Sequence, residues 1–281
     1  MAADFHRVAR SIGRARAKIN LTLHVRGRRA DGYHDLESLV VFAGVSDALA
    51  YTPARNGGYT LAVDGTADLG PEDDNLILRA ALLIAPSGSG HFRLVKTLPI
   101  ASGMGGGSAD AAAALRLVAG EAALTCPAEN IGADVPVCIA SRARMMRGVG
   151  EALGPVLDLA PLYAVLVNPR MAVSTVDVFR ALGLKPGDAF DRTPHPAVSG
   201  DVLDLLISAR NDLEQPAIAV APIIGDVLDA LREQDGLQLA RMSGSGATCF
   251  GIFENRHAAV HAARGLRLLH PRWWVRPTIL R

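Results

Sequence analysis

Residues 99–110 constrain how this chain folds more than any other stretch, and they read PIASGMGGGSAD. Four glycines fall within five positions, at 103, 105, 106 and 107. An apolar run at 91–96 precedes them, and an alanine-rich run at 111–118 follows. The predicted order is therefore strand, glycine loop, helix.

This first glycine loop (residues 99–107) has the features of a phosphate-binding site. Glycine allows positive φ angles and lets a ligand approach the backbone amides. The following helix presents free N–H groups and a partial positive charge, and we predict that Ser108 or Asp110 caps it. A helix N-terminus of this kind binds anions readily.

Two known phosphate-binding motifs do not match the loop. The Walker A motif needs a lysine after its last glycine, but Gly107 is followed directly by Ser108. The G-x-G-x-x-G fingerprint of dinucleotide-binding domains, counted from Gly103, has Ser108 at its third glycine position. A plain turn needs fewer glycines, so the loop favours phosphate binding of another type.

Composition limits the classes of protein that fit. The 281 residues are 49% hydrophobic and 20% charged, which predicts a globular protein of one large or two modest domains. The net charge of +1 gives no electrostatic reason to expect nucleic acid. The sequence shows neither a signal peptide nor an apolar run of roughly 18 residues. Three widely separated cysteines suggest a reducing compartment, so we expect a cytoplasmic protein with no membrane partner.

The N-terminal region predicts several strands. Residues 18–25 alternate, which predicts one half-buried strand whose polar face is either plainly solvated or functional. Further strands are predicted at 37–42, 47–51 and 59–63. Because strands cluster before the helices instead of alternating with them, the fold class is α+β. The polar face of the first strand carries Lys18, Asn20, Thr22 and His24.

A turn at Asp31-Gly32 precedes Tyr33 and His34. On the residues alone, the two side chains are best explained as ordinary turn residues. An aromatic ring beside an imidazole can also stack on a flat ligand and hydrogen-bond its edge. The functional interpretation therefore stays open at this point.

Asp134 is followed by Val135-Pro136. Proline biases the residue before it away from helix, so we expect Asp134 on a constrained bend and Val135 outside a helix. The carboxylate is either a turn or capping group, or a group held rigidly for chemistry.

The C-terminal half contains a second glycine loop (residues 243–247, SGSGA) between two predicted strands. A helix capped by Ser174 is predicted at 174–182, and further helices at 201–206, 211–214, 224–231 and 256–266. The change in character near residues 155–161 predicts a domain boundary there.

Nine short motifs together resemble the GHMP kinase superfamily, whose members transfer the γ-phosphate of ATP to a small-molecule hydroxyl or acid. The Asp-Gly-Tyr-His block at 31–34 is most similar to members that phosphorylate a cytidine-diphosphate-linked polyol in the non-mevalonate route to isoprenoid precursors. Each motif is weak alone, but the set spans nearly the whole chain in superfamily order. The motifs lie at 17–21, 29–34, 75–77, 99–109, 132–136, 148–151, 174–175, 211–214 and 242–247.

The resemblance implies an α+β fold of two domains. Residues 1–158 would form the N-terminal, ribosomal-protein-S5-like ATP domain, and residues 159–281 a C-terminal α/β-plait-like domain. It also implies ATP and Mg²⁺ as cofactors, small molecules as the only partners, and a monomer or homodimer.

The resemblance also assigns roles to residues. Lys18 and Asp134 match the catalytic pair, in which the carboxylate orients or deprotonates the acceptor hydroxyl and the lysine stabilises developing charge. Ser108 matches the hydroxyl near the metal. The ATP site would contain Asn75, Lys96, Pro99, Ile100, Ala101, Ser102, Gly103, Met104, Gly105, Gly106, Gly107, Ser108 and Ala109. The acceptor site would contain Asn20, Tyr33, His34, Thr175 and Phe179.

One departure from the superfamily pattern falls inside the first glycine loop motif. Many members have a second serine after the triple glycine, whereas this chain has Ala109. If that hydroxyl contacts phosphate or metal elsewhere, its loss predicts a lower affinity for ATP here. The backbone amides and Ser108 are retained.

Overall fold

The computed structural model describes residues 11–65, 71, 74–190, 195, 198 and 201–281. Their contacts divide into two units, each drawn from three segments of the chain. Unit 1 contains the described parts of Met1–Ala15, Ser46–Thr97 and Gly107–Ala140, and unit 2 those of Arg16–Val45, Leu98–Gly106 and Ser141–Arg281. The sequence predicts two domains that follow each other along the chain, with a boundary after residue 158. That boundary stays a prediction.

The first four described strands precede the first helix, and the described strands pair mainly antiparallel, which confirms the α+β class. The strands are β1 (Ser11–Asn20), β2 (His24–Arg28), β3 (His34–Pro53), β4 (Tyr59–Asp64), β5 (Gly90–Val95), β6 (Arg144–Gly148), β7 (Ala152–Val156), β8 (Leu162–Asn168), β9 (Leu237–Met242), β10 (Cys249–Phe253) and β11 (Trp274–Leu280). The helices are α1 (Leu76–Ile84), α2 (Gly106–Ala119), α3 (Val135–Ala140), α4 (Thr175–Ala181), α5 (Val202–Ser208), α6 (Glu214–Val220), α7 (Ile223–Arg232) and α8 (Arg256–Leu269).

The N-terminal strands differ from the sequence prediction in two ways. Residues 18–25 are not one half-buried strand, because β1 ends at Asn20 and β2 begins at His24. The polar face, for which a solvated and a functional interpretation were both open, is buried, as Lys18 and Thr22 show. The two strands predicted at 37–42 and 47–51 are parts of the single 20-residue strand β3. Alternation indicates a half-buried strand only where one face meets solvent, and here both faces are covered.

In unit 1, β5 pairs antiparallel with the second half of β3 and parallel with β4. Helix α2 buries a run of small side chains from Ala111 to Ala114, which allows close packing. Near its end, the guanidinium of Arg116 donates to the carbonyls of Cys138 and Ile139 at 2.9 Å each. These bonds join α2 to α3.

In unit 2, four antiparallel strands lie in the order β9-β10-β8-β11. Strand β11 meets β3 at the pair Leu280 and Ala43, and β3 also pairs with β2 and β6. Alternate residues of β8 enter two different hydrophobic cores: Val165 belongs to one and Leu166 to the other. Both faces of β8 are therefore buried.

Hydropathy places no membrane span in the described residues, since none of their helices combines the necessary length with an apolar composition.

Candidate functional site

The first glycine loop lies where the sequence predicts it, between β5 and α2. Gly103 and Gly105 have φ angles of 73° and 60°, in the left-handed region that glycine enters without strain. Ala101 also has a positive φ, 48°, which costs a residue with a side chain about 1–2 kcal/mol. The loop is a sharply turned backbone that leads directly into a helix.

Carbonyl groups and amides in the middle of the loop differ in their hydrogen bonding. Three consecutive carbonyl oxygens accept hydrogen bonds within unit 2. The pairs are Ser102 with the N–H of Thr248 at 3.1 Å, Gly103 with the hydroxyl of Ser243 at 3.0 Å, and Met104 with the N–H of Lys18 at 2.9 Å. The N–H groups of residues 103–105 donate to no group in the described part of the chain. Unused amides of this kind suit a phosphate group.

The second glycine loop packs against the first and forms a hydrogen bond with it. Its Ser243 hydroxyl is fully buried and also accepts a hydrogen bond from the N–H of Asn20 at 3.1 Å. A Cβ on Gly103 would lie 2.5 Å from the Ser243 carbonyl oxygen and 2.8 Å from that of Gly246. Gly103 is therefore required for contact between the loops as well as for its φ angle. The sequence predicted both loops but not this contact.

The predicted helix caps are wrong. Helix α2 begins at Gly106, so Ser108 and Asp110 lie inside it instead of before it. Ser108 is half-buried in the first turn, among N–H groups that have no acceptor within the helix. Asp110 is one turn from the start of the helix and its side chain is buried.

Asp110 belongs to a buried group of three charges in unit 1, the Lys96 cluster (Asp47, Lys96 and Asp110). The Lys96 ammonium lies 2.6 Å from a carboxylate oxygen of each aspartate. The side chains of Asp47, Lys96 and Asp110 are only 0%, 6% and 4% exposed. The assignment of Lys96 to the ATP site stays a prediction, but its ammonium already has two carboxylate partners.

Two carboxylates share one lysine, so the cluster does not balance its charge when all three groups are ionised. Burial, opposed by Lys96 and reinforced by Asp47, raises the pKa of Asp110 to about 7. Burial alone would lower the pKa of Lys96, but the two carboxylates raise it above its usual value. One oxygen of Asp110 is buried without a hydrogen-bond partner in the described residues. Asp110 therefore holds a proton more readily than an ordinary aspartate.

Asn75, also assigned to the ATP site by resemblance, caps α1. Its side-chain oxygen accepts a hydrogen bond from the N–H of Ile77 at 2.9 Å. Asparagine is a favoured N-cap residue, so the structure gives this side chain a local role whether or not ATP touches it. Its ATP contact stays a prediction.

The proposed catalytic pair falls in different units. Lys18 lies on β1 in unit 2 and is 4% exposed, whereas Asp134 is half-buried in unit 1. Asp134 sits in the turn before α3, and its carbonyl accepts from the N–H of Cys138 at 3.4 Å. The expectation that Pro136 keeps Val135 out of a helix is wrong, because α3 begins at Val135. Proline fits the first helical turn, where an N–H has no acceptor within the helix.

Four of the five predicted acceptor residues line one cavity in unit 2, with a volume of about 560 Å³. This acceptor cavity lies between the Asp31-Gly32 turn and helix α4. Its volume is within the range usual for small-molecule sites. Tyr33 is 64% exposed, so its ring is accessible to a ligand. The four residues are Tyr33, His34, Thr175 and Phe179.

Within the cavity, the rings of His34 and Phe179 stack with centroids 4.3 Å apart and an angle of 23° between the planes. Burial, and then the positive charge of Arg28, lower the pKa of His34. The imidazole is therefore neutral near pH 7, with one donor and one acceptor nitrogen. Its Nε2 is buried and has no partner among the described residues. This ring can read the polar edge of a ligand.

Asn20, the fifth predicted acceptor residue, does not line this cavity. Its side-chain amide donates to the Ser38 hydroxyl at 2.8 Å, while its side-chain oxygen is buried without a partner in the described residues. Asn20 also contacts the second glycine loop through its backbone N–H. Its role in acceptor binding stays a prediction.

Sequence reasoning missed two residues that the structure connects to the cavity. The hydroxyl of Ser245, in the second glycine loop, lies 2.8 Å from that of Thr175. Arg28 lines the cavity and hydrogen-bonds two of its walls. The SGSGA motif was a signal for Ser245, whereas nothing in the local sequence separates Arg28 from the neighbouring Arg29.

The structure offers few protein ligands for a metal. Among the residues that it describes, no group of three or more His, Cys, Asp or Glu side chains is placed to hold an ion. Mg²⁺ commonly binds through one or two protein groups and the phosphates of a substrate. The Ser108 hydroxyl fits such a site, and its role as a metal ligand stays a prediction.

Comparison with known proteins agrees with the fold and the loops. Residues 75–142 match the GHMP kinases N terminal domain, and residues 199–270 match the GHMP kinases C terminal domain. Curated relatives are up to 55% identical over nearly the whole chain. The chain belongs to the GHMP kinases, a family of small-molecule kinases.

Individual relatives narrow the comparison. The chain is 55% identical to the 4-diphosphocytidyl-2-C-methyl-D-erythritol kinase of Methylobacterium radiotolerans, covering 95% of this chain and 98% of the relative. It is 49% identical to the enzyme of the same name from Xanthobacter autotrophicus, with the same coverage. A crystal structure of 4-(cytidine 5'-diphospho)-2C-methyl-D-erythritol kinase matches with a TM-score of 0.76 and 36% identity, over 96% of this chain and 99% of that one.

A more distant structure shares the fold. The homoserine kinase of Cytophaga hutchinsonii is 17% identical, with a TM-score of 0.67 over 99% of this chain and 96% of that one. At this identity the match supports the architecture and says nothing about the acceptor.

Proposed function

We propose that this protein transfers the γ-phosphate of ATP to the 2-hydroxyl of 4-diphosphocytidyl-2-C-methyl-D-erythritol, giving the 2-phosphate and ADP in the non-mevalonate route to isoprenoid precursors. The observation that carries the proposal is the acceptor cavity, where four residues assigned from sequence line one space. The relatives that match over nearly the whole chain carry the corresponding name.

The chemistry of the cavity suits a pyrimidine nucleotide. A flat base can stack on an exposed aromatic ring such as Tyr33. Cytosine presents an amino donor and two acceptors along one edge, and the neutral His34 imidazole can pair with either kind of group. One face of Phe179 is covered by His34, so Phe179 would contact the base only with its remaining surface.

The first glycine loop would bind the triphosphate of ATP through the amides of the partly exposed Gly103 and Gly105 and the start of α2. These donors are fixed before ATP arrives, because the loop carbonyls are already bonded to the protein. Fixed donors need no reorganisation during the reaction. Mg²⁺ would neutralise phosphate charge when bound, with Ser108 as the protein hydroxyl beside it.

Lys18 and Asp134 would perform the chemistry on the acceptor hydroxyl. Phosphoryl transfer passes through a loose transition state, so positioning and electrostatics supply most of the acceleration. Asp134 would therefore mainly orient the hydroxyl and accept its proton late, while Lys18 stabilises the developing charge.

Substitution separates this chemical role from binding. Asp134→Asn should lower kcat by about a thousandfold, in the range of general-base contributions, and leave ATP binding unchanged. Lys18→Met should act in the same direction. Turnover near the wild-type rate in either variant would remove that residue from the chemistry. Calorimetric titration with a non-hydrolysable ATP analogue supplies the binding control.

The acceptor is tested by coupled ADP release with three alcohols: 4-diphosphocytidyl-2-C-methyl-D-erythritol, mevalonate and homoserine. We expect ADP release to depend on the first and to be at background with the others. Release with mevalonate or homoserine alone would contradict the proposed acceptor while leaving the kinase family intact.

A further inference from the structure

Arg28 joins the two walls of the acceptor cavity, which are about 150 residues apart in the sequence. Its Nε donates to the carbonyl of Gly32 at 3.1 Å, and its Nη1 donates to the carbonyl of Leu184 at 2.9 Å. Gly32 belongs to the turn that carries Tyr33 and His34, and Leu184 follows helix α4. The Arg28 side chain therefore adds a direct hydrogen-bonded link between the two walls.

The chemistry of arginine makes this a rigid connection. The guanidinium is planar and presents its donors in a fixed fork, so the two carbonyls are held in one plane. A lysine in the same place would keep the charge but offers a single flexible ammonium. Arginine is thus the residue that both positions the walls and adds a positive charge to the cavity.

The backbone of Arg28 holds the same loop independently of its side chain. Its N–H donates to the carbonyl of Asp188 at 2.8 Å, and its carbonyl accepts from the N–H of Gly187 at 2.8 Å. Replacing the side chain leaves these bonds in place. The loop after α4 therefore stays attached to β2, and a variant reports on the guanidinium alone.

The walls that Arg28 connects carry the two stacked rings. His34 is two residues after Gly32, and Phe179 is on α4, five residues before Leu184. Their stacking distance depends on how these segments are held together. The positive charge of Arg28 also contributes to keeping His34 neutral.

We propose that Arg28 is a positioning residue for acceptor specificity, which ties the Gly32 turn to Leu184 so that the His34 and Phe179 rings are arranged to receive the base. The proposal rests on the proposed function, because the base belongs to the acceptor named there. It assigns Arg28 no contact with the reacting atoms.

The test compares Arg28→Met, Arg28→Lys and Arg232→Met. Arg232 is a matched control, since its guanidinium forms an exposed ion pair with Asp229 within α7. Loss of the two hydrogen bonds should raise the KM for the cytidine-diphosphate acceptor about tenfold in both Arg28 variants. The KM for ATP should stay within about twofold of wild type, and Arg232→Met should change neither constant.

A proton NMR titration of His34 separates the two effects of Arg28. In Arg28→Met the pKa of His34 should rise, because a positive charge has been removed, whereas in Arg28→Lys it should stay near the wild-type value. A purely structural role would raise both KM values together and lower the melting temperature. If Arg28→Met does not fold, the acceptor KM of Arg28→Lys decides the question.

An unchanged acceptor KM in Arg28→Lys, or an equal rise in the KM for ATP, would overturn the proposal. Titration with CDP alone distinguishes it from the proposed function. Wild-type binding of CDP, with no ADP release when 4-diphosphocytidyl-2-C-methyl-D-erythritol is supplied, would contradict the function but not the role of Arg28. Binding of CDP by Arg28→Met as tightly as by wild type would contradict the role of Arg28 alone.

Discussion

The two glycine loops have similar compositions but differ in which of their polar groups are hydrogen-bonded to the protein. The first glycine loop is partly exposed at Gly103 and Gly105, and its amides there have no partner in the described residues. The second is almost entirely buried, and Ser243 within it both accepts and donates hydrogen bonds. The first glycine loop has the form of a phosphate-binding loop, which we call the cradle. The second glycine loop packs against it.

This difference shows that the number of glycines alone does not identify a phosphate-binding loop. In both loops glycine permits a left-handed turn, as the φ angles of Gly103 and Gly244, 73° and 57°, show. What distinguishes them is which backbone groups the protein has already used. In the first loop the carbonyls of residues 102–104 accept hydrogen bonds from the protein, whereas the amides of residues 103–105 donate to no group in the described residues.

The largest expected effect comes from adding one methyl group between the loops. In Gly103→Ala the new Cβ would meet two carbonyl oxygens at 2.5 and 2.8 Å, in a left-handed conformation. Strain and overpacking together cost about 3 kcal/mol, and the loop escapes this cost only by leaving its cradle geometry. We expect about a hundredfold loss of ATP affinity, measured by calorimetric titration with a non-hydrolysable analogue.

The control for this substitution is Gly225→Ala in α7. Its Cβ would make one ordinary contact, 3.8 Å from a methyl carbon of Ile218. Alanine in a helix interior is more favourable than glycine, so stability should rise slightly and ATP affinity should not change. Wild-type affinity in Gly103→Ala would show that contact between the loops does not shape the cradle.

A smaller effect is expected from removing the hydroxyl that joins the loops. Ser243→Ala leaves the carbonyl of Gly103 and the N–H of Asn20 without their partner. A buried unsatisfied group costs about 1–3 kcal/mol, so urea unfolding should show a loss of that size and ATP affinity should fall about tenfold. Ser208→Ala, which removes a single bond at the end of α5, is the matched control.

The last expected effect is a pH dependence, and it concerns the element that comes after each loop. The first glycine loop leads into α2, which carries the buried Asp110, whereas the second leads into strand β10. The pKa of Asp110 is raised from 3.8 to about 7 by burial, so the folded protein keeps a proton that the unfolded chain releases. Stability from this proton is fully present below about pH 4 and is lost as the pH rises toward 7.

Asp110→Asn should remove that pH dependence. The melting temperature of the wild type should fall relative to that of the variant between about pH 4 and pH 7. Thermal unfolding followed by circular dichroism at several pH values measures the difference. Parallel curves for the two proteins would show that Asp110 titrates at its ordinary pKa in the folded state.

The sequence predicts the order of elements well, because local patterns determine it. The strand, glycine loop and helix around residue 103 are confirmed, as are the Ser174 cap and the turn at Gly32. The wrong predictions concern features that depend on segments distant in the sequence. Burial of both faces near Lys18 and the unbroken length of β3 depend on neighbours that the local pattern does not contain.

The candidate site likewise contains residues that local motifs predict and residues whose roles depend on partners distant in the sequence. The residues of the acceptor cavity follow from motif resemblance, since four of them line one space. The roles of Asp110 and Arg28 depend on partners far away in sequence, such as Asp47 and Leu184, so no local pattern reveals them. The start of α2 at Gly106 was missed because glycine is a poor helix former, and packing of the alanine run overrides that preference.

Amide hydrogen exchange, resolved by residue, tests most directly whether the first glycine loop is the phosphate cradle. Without ligand, the amides of Gly103 and Gly105 should exchange fast, whereas those of Gly246 and Thr248, which donate to protein carbonyls, should exchange slowly. A non-hydrolysable ATP analogue should slow Gly103 and Gly105 strongly and leave Gly246 and Thr248 unchanged. Exchange at Gly103 and Gly105 that does not respond to saturating analogue would contradict the account.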